Sequence, residues 1–147
     1  MLISLPPATD RLLAQLLREQ QAELATVDGT VPYSLRDGIE YVMGYLDGRP
    51  VACGGLQHLE PEVGEIKRMY VRPAHRGRGF SRLILAALEE RAAVRGYHTV
   101  RLETGTMLTA ALGLYRSAGY SPIPAYGEYA GNPQSACFEK SLVQPAL

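Results

Sequence analysis

The sequence predicts an α/β domain built on one sheet whose middle is antiparallel. Three observations carry that prediction. Asp47-Gly48 separates two β-rich runs, "IEYVMGYL" and "RPVACGGLQHL", and an Asp-Gly pair in that setting signals a tight hairpin. A second turn near residues 60–64 leads straight into "EIKRMYV", so a third strand follows in series. Two stretches of helical apolar period then alternate with the strand-like "HTVRLET".

Taken in order, "MLISL" reads as a short strand closed by Pro6 and Pro7. Thr9 or Asp10 can cap the helix "DRLLAQLLREQQAELA", whose Leu12, Leu13, Leu16, Leu17 and Leu24 fall mostly on one stripe. Residues 26–37 are turn-rich, with room for one short helix. The three-strand run occupies residues 38–71. A long helix is expected over about 81–95, with Leu83, Ile84, Ala87, Leu88 and Val94 inward and Gly96 as its stop. After "HTVRLET" comes the helix "LTAALGLYRSAGY", with Leu108, Ala111, Leu112 and Tyr115 at i, i+3, i+4 and i+7 and Gly119 to end it. A final strand pair, "YSPIPAY" and "SACFEKSLV", flanks a loop rich in Tyr, Pro and Gly. No repeat or linker interrupts the chain, so residues 1–147 read as a single domain.

Fifteen basic residues balance fifteen acidic ones. That argues against nonspecific binding to nucleic acid or a membrane surface, which draws on a large positive excess, and leaves room for a local anion site. Cys53 and Cys137 stand alone in apolar runs, with neither a metal-ligand spacing nor a disulfide framework, so no metal and a reducing cytoplasm are expected. "MLISLPPATDRLL" lacks the basic stretch and long apolar core of a signal peptide, and no run is long enough to span a membrane.

The stretch "RGRGFS", residues 76–81, concentrates two arginines and two glycines directly before the long helix. Backbone N–H groups at a helix N-terminus, with glycines that let a ligand approach, suit a phosphate. Arg76 and Arg78 add positive charge there. A solvated basic turn would share this composition. No Lys-Ser or Lys-Thr follows the glycines as in a P-loop, and the third glycine of a dinucleotide fingerprint is missing.

"EIKRMYVRPAHRGRGFSRLILAALEERA" resembles the acetyl-CoA-binding motif of the GNAT superfamily of N-acetyltransferases, with Arg76, Gly79 and Ser81 at the three pattern positions and Ser81 in place of the usual Gly or Ala. "LGLYRSAGY" resembles the family's second motif. Leu108 departs from it, standing where many relatives carry a CoA-holding Asn or Gln. The resemblance implies a GNAT-type fold: a mixed, mostly antiparallel central sheet, helices on both faces, and an acetyl-CoA cleft between a splayed fourth and fifth strand. It implies acetyl transfer from acetyl-CoA, as co-substrate, to a primary amine, with a small molecule or amino acid as the expected acceptor. By position, the main chain of Met69 and Val71 would hold the pantetheine arm. The N–H groups of Arg76, Gly77, Arg78, Gly79, Phe80 and Ser81 would hold the pyrophosphate.

Attack on a thioester requires a neutral amine, and a lysine-like amine is only about 0.04% neutral at pH 7. A base therefore matters. The resemblance points to Glu65, with His58 as second candidate and Glu103 as a group that could bind a cationic amine or act through water. Each has a plainer reading: Glu65 as a solvated carboxylate, His58 as a surface residue, Glu103 as a partner of Arg101 or Arg68. Tyr115 matches the family's general acid, and also falls on the apolar stripe of its own helix. Arg68 and Tyr126, with Tyr33, Tyr129 and Asn132, lie in segments that can border the acceptor cleft; Arg68 would suit a substrate carboxylate. Other readings are a non-catalytic acyl-CoA-binding module, a protein or peptide N-acetyltransferase and, more distantly, a nucleotide-binding protein. Homodimers are common among such relatives, so a homodimer is compatible with the resemblance.

Overall fold

The computed structural model of the chain describes residues 1–28 and 38–142. The elements are β1 (Leu2–Ser4), α1 (Arg11–Asp28), β2 (Glu40–Leu46), β3 (Arg49–Glu60), β4 (Val63–Val71), α2 (Phe80–Val94), β5 (Thr99–Gly105), α3 (Thr109–Ser117), β6 (Ser121–Ile123) and β7 (Ser135–Ser141). The stretch expected to hold a short helix lies, beyond Asp28, outside the described residues, and so does Tyr33.

The strands form one seven-stranded sheet in the order β1-β2-β3-β4-β5-β7-β6. Each neighbouring pair is antiparallel except β4 and β5, which run parallel because α2 carries the chain back between them. Asp47 (φ 52°) and Gly48 (φ 76°) both adopt positive φ at the β2–β3 turn, the geometry an Asp-Gly hairpin is suited to. Asp10 is the cap of α1: its Oδ1 accepts from the N–H groups of Leu12 and Leu13, each at 2.9 Å.

Helices cover both faces. On one, Leu13, Leu16 and Leu17 of α1 bury against Tyr41, Met43 and Cys53. On the other, Ile84, Leu85 and Leu88 of α2 and Tyr115 of α3 pack on Ala52, Leu56, Ile66 and Phe138. Covered twice, β3 is buried without a break from Pro50 to Leu56 and reads as a continuous apolar run. Gly54 permits the close approach of α2: a Cβ there would lie 2.7 Å from Leu88 Cδ1 and 2.9 Å from Ile84 Cγ2.

Several expectations about packing need correction. α2 begins one residue early, at Phe80, and its buried positions are Phe80, Ile84, Leu85, Leu88 and Ala92. Leu83 and Val94, expected inward, lie on the side of the helix turned away from that stripe and are 48% and 65% exposed. Leu12 likewise faces solvent. Leu108 precedes α3 rather than opening its buried stripe, and Tyr115 is the helix's one buried residue. Leu88 is fully buried at the centre of the larger cluster. Leu88→Ala is expected to cost about 2–5 kcal/mol, read as a lower denaturant midpoint at unchanged slope.

Candidate active site

Two features of β4 open a slot beside it. Its pairing with β5 runs from Val63↔Thr99 to Ile66↔Leu102 and stops, although β4 continues to Val71 and β5 to Gly105. On the other side β4 carries a bulge: Gly55 pairs with Lys67 and Cys53 with Tyr70, so Arg68 and Met69 stand against Gly54 alone. Arg68 sits in that bulge at φ 59°. An extra residue bends the strand that carries it, and here it bends beside the point where β4 parts from β5.

The main chain beyond the bulge is partly committed. Met69 O accepts from Gln20 Nε2 of α1 (2.8 Å), and Val71 O accepts from Arg76 Nε (2.9 Å). Arg72 N donates to Val51 O (2.8 Å), which makes Ala52 and Val71 a non-hydrogen-bonded pair. The Val71 N–H therefore points away from β3, toward the gap.

The glycine loop follows. Gly77 (φ 75°) and Gly79 (φ 82°) are both left-handed, and a Cβ at either would meet nothing within 4 Å. Gly79 caps α2 with no side-chain bond. The first N–H groups of α2 have no carbonyl within the helix to bond, and they lie at the positive end of its dipole. Open space, free donors and that dipole together fit a diphosphate. The arginines act differently from one another. Arg76 is tied to both carboxylate oxygens of Glu23 in α1 (2.7 and 2.8 Å), so its charge is already paired and it anchors the loop. Arg72 does the same one turn earlier, through Glu19 (2.9 and 3.0 Å) and Pro50 O (2.8 Å). Arg78 lies over the Phe80 ring at 5.3 Å.

Lys67 and Glu103 are the first residues of their strands past the last parallel pair, and strand alternation puts both on the face that carries Glu65. Glu65 is only 2% exposed, which excludes the solvated-carboxylate reading. It accepts from Tyr126 OH (2.6 Å) and Gln57 Nε2 (3.1 Å) and pairs with Lys67 Nζ (3.4 Å). Lys67 also donates to Tyr129 OH (3.2 Å) and pairs with Glu128 (3.6 Å). The two tyrosine rings meet edge to face at 5.5 Å. Glu103 accepts from Ser135 Oγ (2.6 Å). Its carboxyl is raised above the usual range, chiefly by burial, with the charges of Glu65 and Glu128 adding to the effect against Ser135 and Lys67. Arg101, one of the two partners Glu103 was read as having, bonds Glu139 (3.0 Å) and Glu60 (3.5 Å) instead.

Tyr115 belongs to the opposite face, packed against Tyr120 (5.9 Å) and Phe138 (6.3 Å). Burial, with a smaller contribution from the nearby Glu103 carboxylate, pushes its phenol up to about 12. His58 alternates away from Gln57 and lies beside Tyr97 (ring centroids 5.9 Å), lining a cavity of about 420 Å³ with Glu40 and Arg95. It is not brought to Glu65. Asn132 Oδ1 closes its own turn by accepting from Gln134 N (2.9 Å).

Sequence reasoning missed Lys67, Gln57, Glu128 and Ser135. Lys67 was within reach, two residues from Glu65 on the same strand and therefore on the same face. Ser135 and Glu128 arrive through a loop whose path the sequence does not specify.

The model of the Acetyltransferase (GNAT) family matches residues 10–120. Among curated proteins, an IAA acetyltransferase of Azospirillum brasilense is 33% identical over 105 residues, 71% of this chain and 69% of that protein. A candidate acyl-CoA N-acyltransferase from Klebsiella pneumoniae superposes with a TM-score of 0.84 at 34% identity, covering 97% of each chain. A GNAT family acetyltransferase from Elizabethkingia anophelis, solved with acetyl-CoA bound, shares the fold at a TM-score of 0.74 and 17% identity, covering 96% of this chain and 97% of that one.

Proposed function

The chain belongs to the GNAT acetyltransferase family, and from that premise we propose that it moves an acetyl group from acetyl-CoA to the primary amine of a small molecule or amino acid. One observation carries the reading. The parting of β4 and β5 beyond Ile66 and Leu102 leads along β4 to the open glycine loop at the head of α2. A long thioester with a diphosphate fits that course, pantetheine beside the Val71 N–H and pyrophosphate on the backbone from Gly77 to Ser81, since the Arg76 N–H, expected among these donors, is committed to Pro73 O (3.3 Å). Met69 would contribute through whatever of its main chain Gln20 leaves open.

The residues at the mouth divide the proton work. Glu65 already has three donors, so its negative charge is satisfied and it serves best as a post that orients Lys67 and Tyr126. Glu103 accepts from one hydroxyl among the described residues, is desolvated and binds a proton more readily than an ordinary carboxylate. We assign it, ahead of Glu65, the acceptor's ammonium proton, directly or through one water. Tyr126 borders the same mouth through its bond to Glu65, Arg68 stands in the adjoining bulge of β4, and the two are the proposed contacts of the acceptor. Tyr115 stays fully protonated at neutral pH. A thiol of ordinary acidity, about 8.5, gives up its proton far more readily than that phenol. Tyr115 therefore stabilises the leaving thiolate chiefly by donating a hydrogen bond, because complete transfer runs uphill.

The test is thiol release from acetyl-CoA against a panel of amino acids, polyamines and peptides. Release with one amine class supports the transferase; firm CoA binding with no release from any amine would favour a binding module. Tyr115→Phe is expected to lower kcat by about 100-fold while CoA affinity stays within about twofold. Unchanged turnover would make Tyr115 a packing residue only.

A further inference from the structure

We propose that Lys67 is itself an acetyl acceptor, so that the chain modifies its own active-site lysine when no external amine is bound. The inference rests on the transferase reading above. Lys67 and Lys140 are the only lysines in the sequence; the other thirteen basic residues are arginine. Arginine keeps its proton and offers no nucleophile at neutral pH, whereas a lysine amine can be deprotonated. One of the two lysines stands at the mouth of the proposed thioester slot.

Its placement is that of an acceptor. Lys67 is the first β4 residue beyond the last β4–β5 pair, on the face shared with Glu65 and Glu103. Its Nζ lies 3.4 Å from Glu65 and 3.2 Å from Tyr129 OH, and its charge is felt by Glu103. The side chain is 13% exposed, so bulk reagents have little access to it. Lys140 is the internal comparison. At 29% exposure it is the more accessible of the two, but it pairs with Glu89 of α2 (2.9 Å) on the opposite face, away from the mouth. Uncatalysed acetylation would therefore favour Lys140, and transfer directed through the slot would favour Lys67.

In the step, the Lys67 ammonium first loses one proton, to Glu103 and then to solvent. The neutral Nζ attacks the thioester carbonyl, its N–C bond forms, the C–S bond breaks, and sulfur leaves with a proton as the free thiol. The net reaction of ammonium and acetyl-CoA yields acetyl-lysine, CoA thiol and one released proton. The amide is uncharged, so Glu65 and Glu128 lose their shared cation and the mouth becomes more negative by one unit. Self-acetylation would thus alter which amines the cleft attracts.

The experiment incubates the full chain with labelled acetyl-CoA and locates the label by peptide mass spectrometry, with CoA binding measured in parallel by calorimetry. Lys67 should be acetylated at least tenfold faster than Lys140, at a rate independent of protein concentration. Label should be absent at position 67 in Lys67→Arg, which keeps the charge, and persist there in Lys140→Arg. Glu103→Gln should slow Lys67 at least tenfold and leave Lys140 unchanged. Equal rates at the two lysines, or a Lys67 rate indifferent to Glu103→Gln, would overturn the proposal. Acetylation of an added amine with Lys67 unlabelled would overturn it while the transferase reading stands. Absence of both CoA binding and thiol release would bring down the two together.

Discussion

Gly79→Glu is expected to raise the Kd for CoA by about 100- to 1,000-fold, measured by calorimetry on a protein that still folds. Gly79 is the left-handed residue (φ 82°) that caps α2 with its backbone alone. A Cβ at this position meets nothing within 4 Å, so the new side chain projects into the space assigned to the pyrophosphate without disturbing the core. A glutamate there places like charge against the diphosphate, worth a few kcal/mol at about 4 Å in a partly screened site. It also occupies the cradle at the positive end of the helix dipole. The left-handed backbone adds about 1–2 kcal/mol of strain to the mutant itself. Gly79→Asn separates these effects, because asparagine tolerates that backbone and carries no charge; it should lose much less affinity. An unchanged Kd in a folded Gly79→Glu protein would remove the pyrophosphate from this loop.

Glu103→Gln is expected to lower kcat/KM for the acceptor amine by about 10²- to 10⁴-fold. Glutamine keeps the shape and can still accept from Ser135, so the β5–β7 contact survives. The pH profile distinguishes a base from a packing residue. A base works deprotonated, and burial raises the Glu103 carboxyl. In the wild type, therefore, activity falls as pH drops through a value above the ordinary carboxylate range. That acid limb should vanish in the variant, while the rise toward alkaline pH, which reports ionisation of the amine itself, should remain in both proteins. If the limb persists in Glu103→Gln and disappears in Glu65→Gln, the buried Glu65 is the base despite its three donors.

Much of the fold was legible because its signals are local. Asp47-Gly48 specifies a hairpin through the φ angles the two residues tolerate, and Asp10 caps α1 through bonds spanning two or three residues. The glycine loop was legible for the same reason: Gly77 and Gly79 take the left-handed conformations their spacing suggested. Periodicity placed α2 and α3 but misjudged the buried edge of α2. A helix with apolar residues on more than half its circumference does not state which part the sheet will cover, and Leu83 and Val94 were left outside.

The sequence by itself determined the order of elements, the antiparallel middle of the sheet and the left-handed glycine turn before α2, since each depends on residues within a few positions of one another. Only the tertiary structure decided the chemistry of the mouth. Arg76 proved to be paired with Glu23, fifty-three residues away, and Tyr126 with Glu65, sixty-one residues away. Whether a carboxylate is a satisfied post or an available base depends on how many donors reach it and how much water is excluded. Both are set by chain segments that meet only after folding. Glu65 and Glu103 have the same side chain, and among the described residues Tyr126, Gln57 and Lys67 converge on one while Ser135 bonds the other.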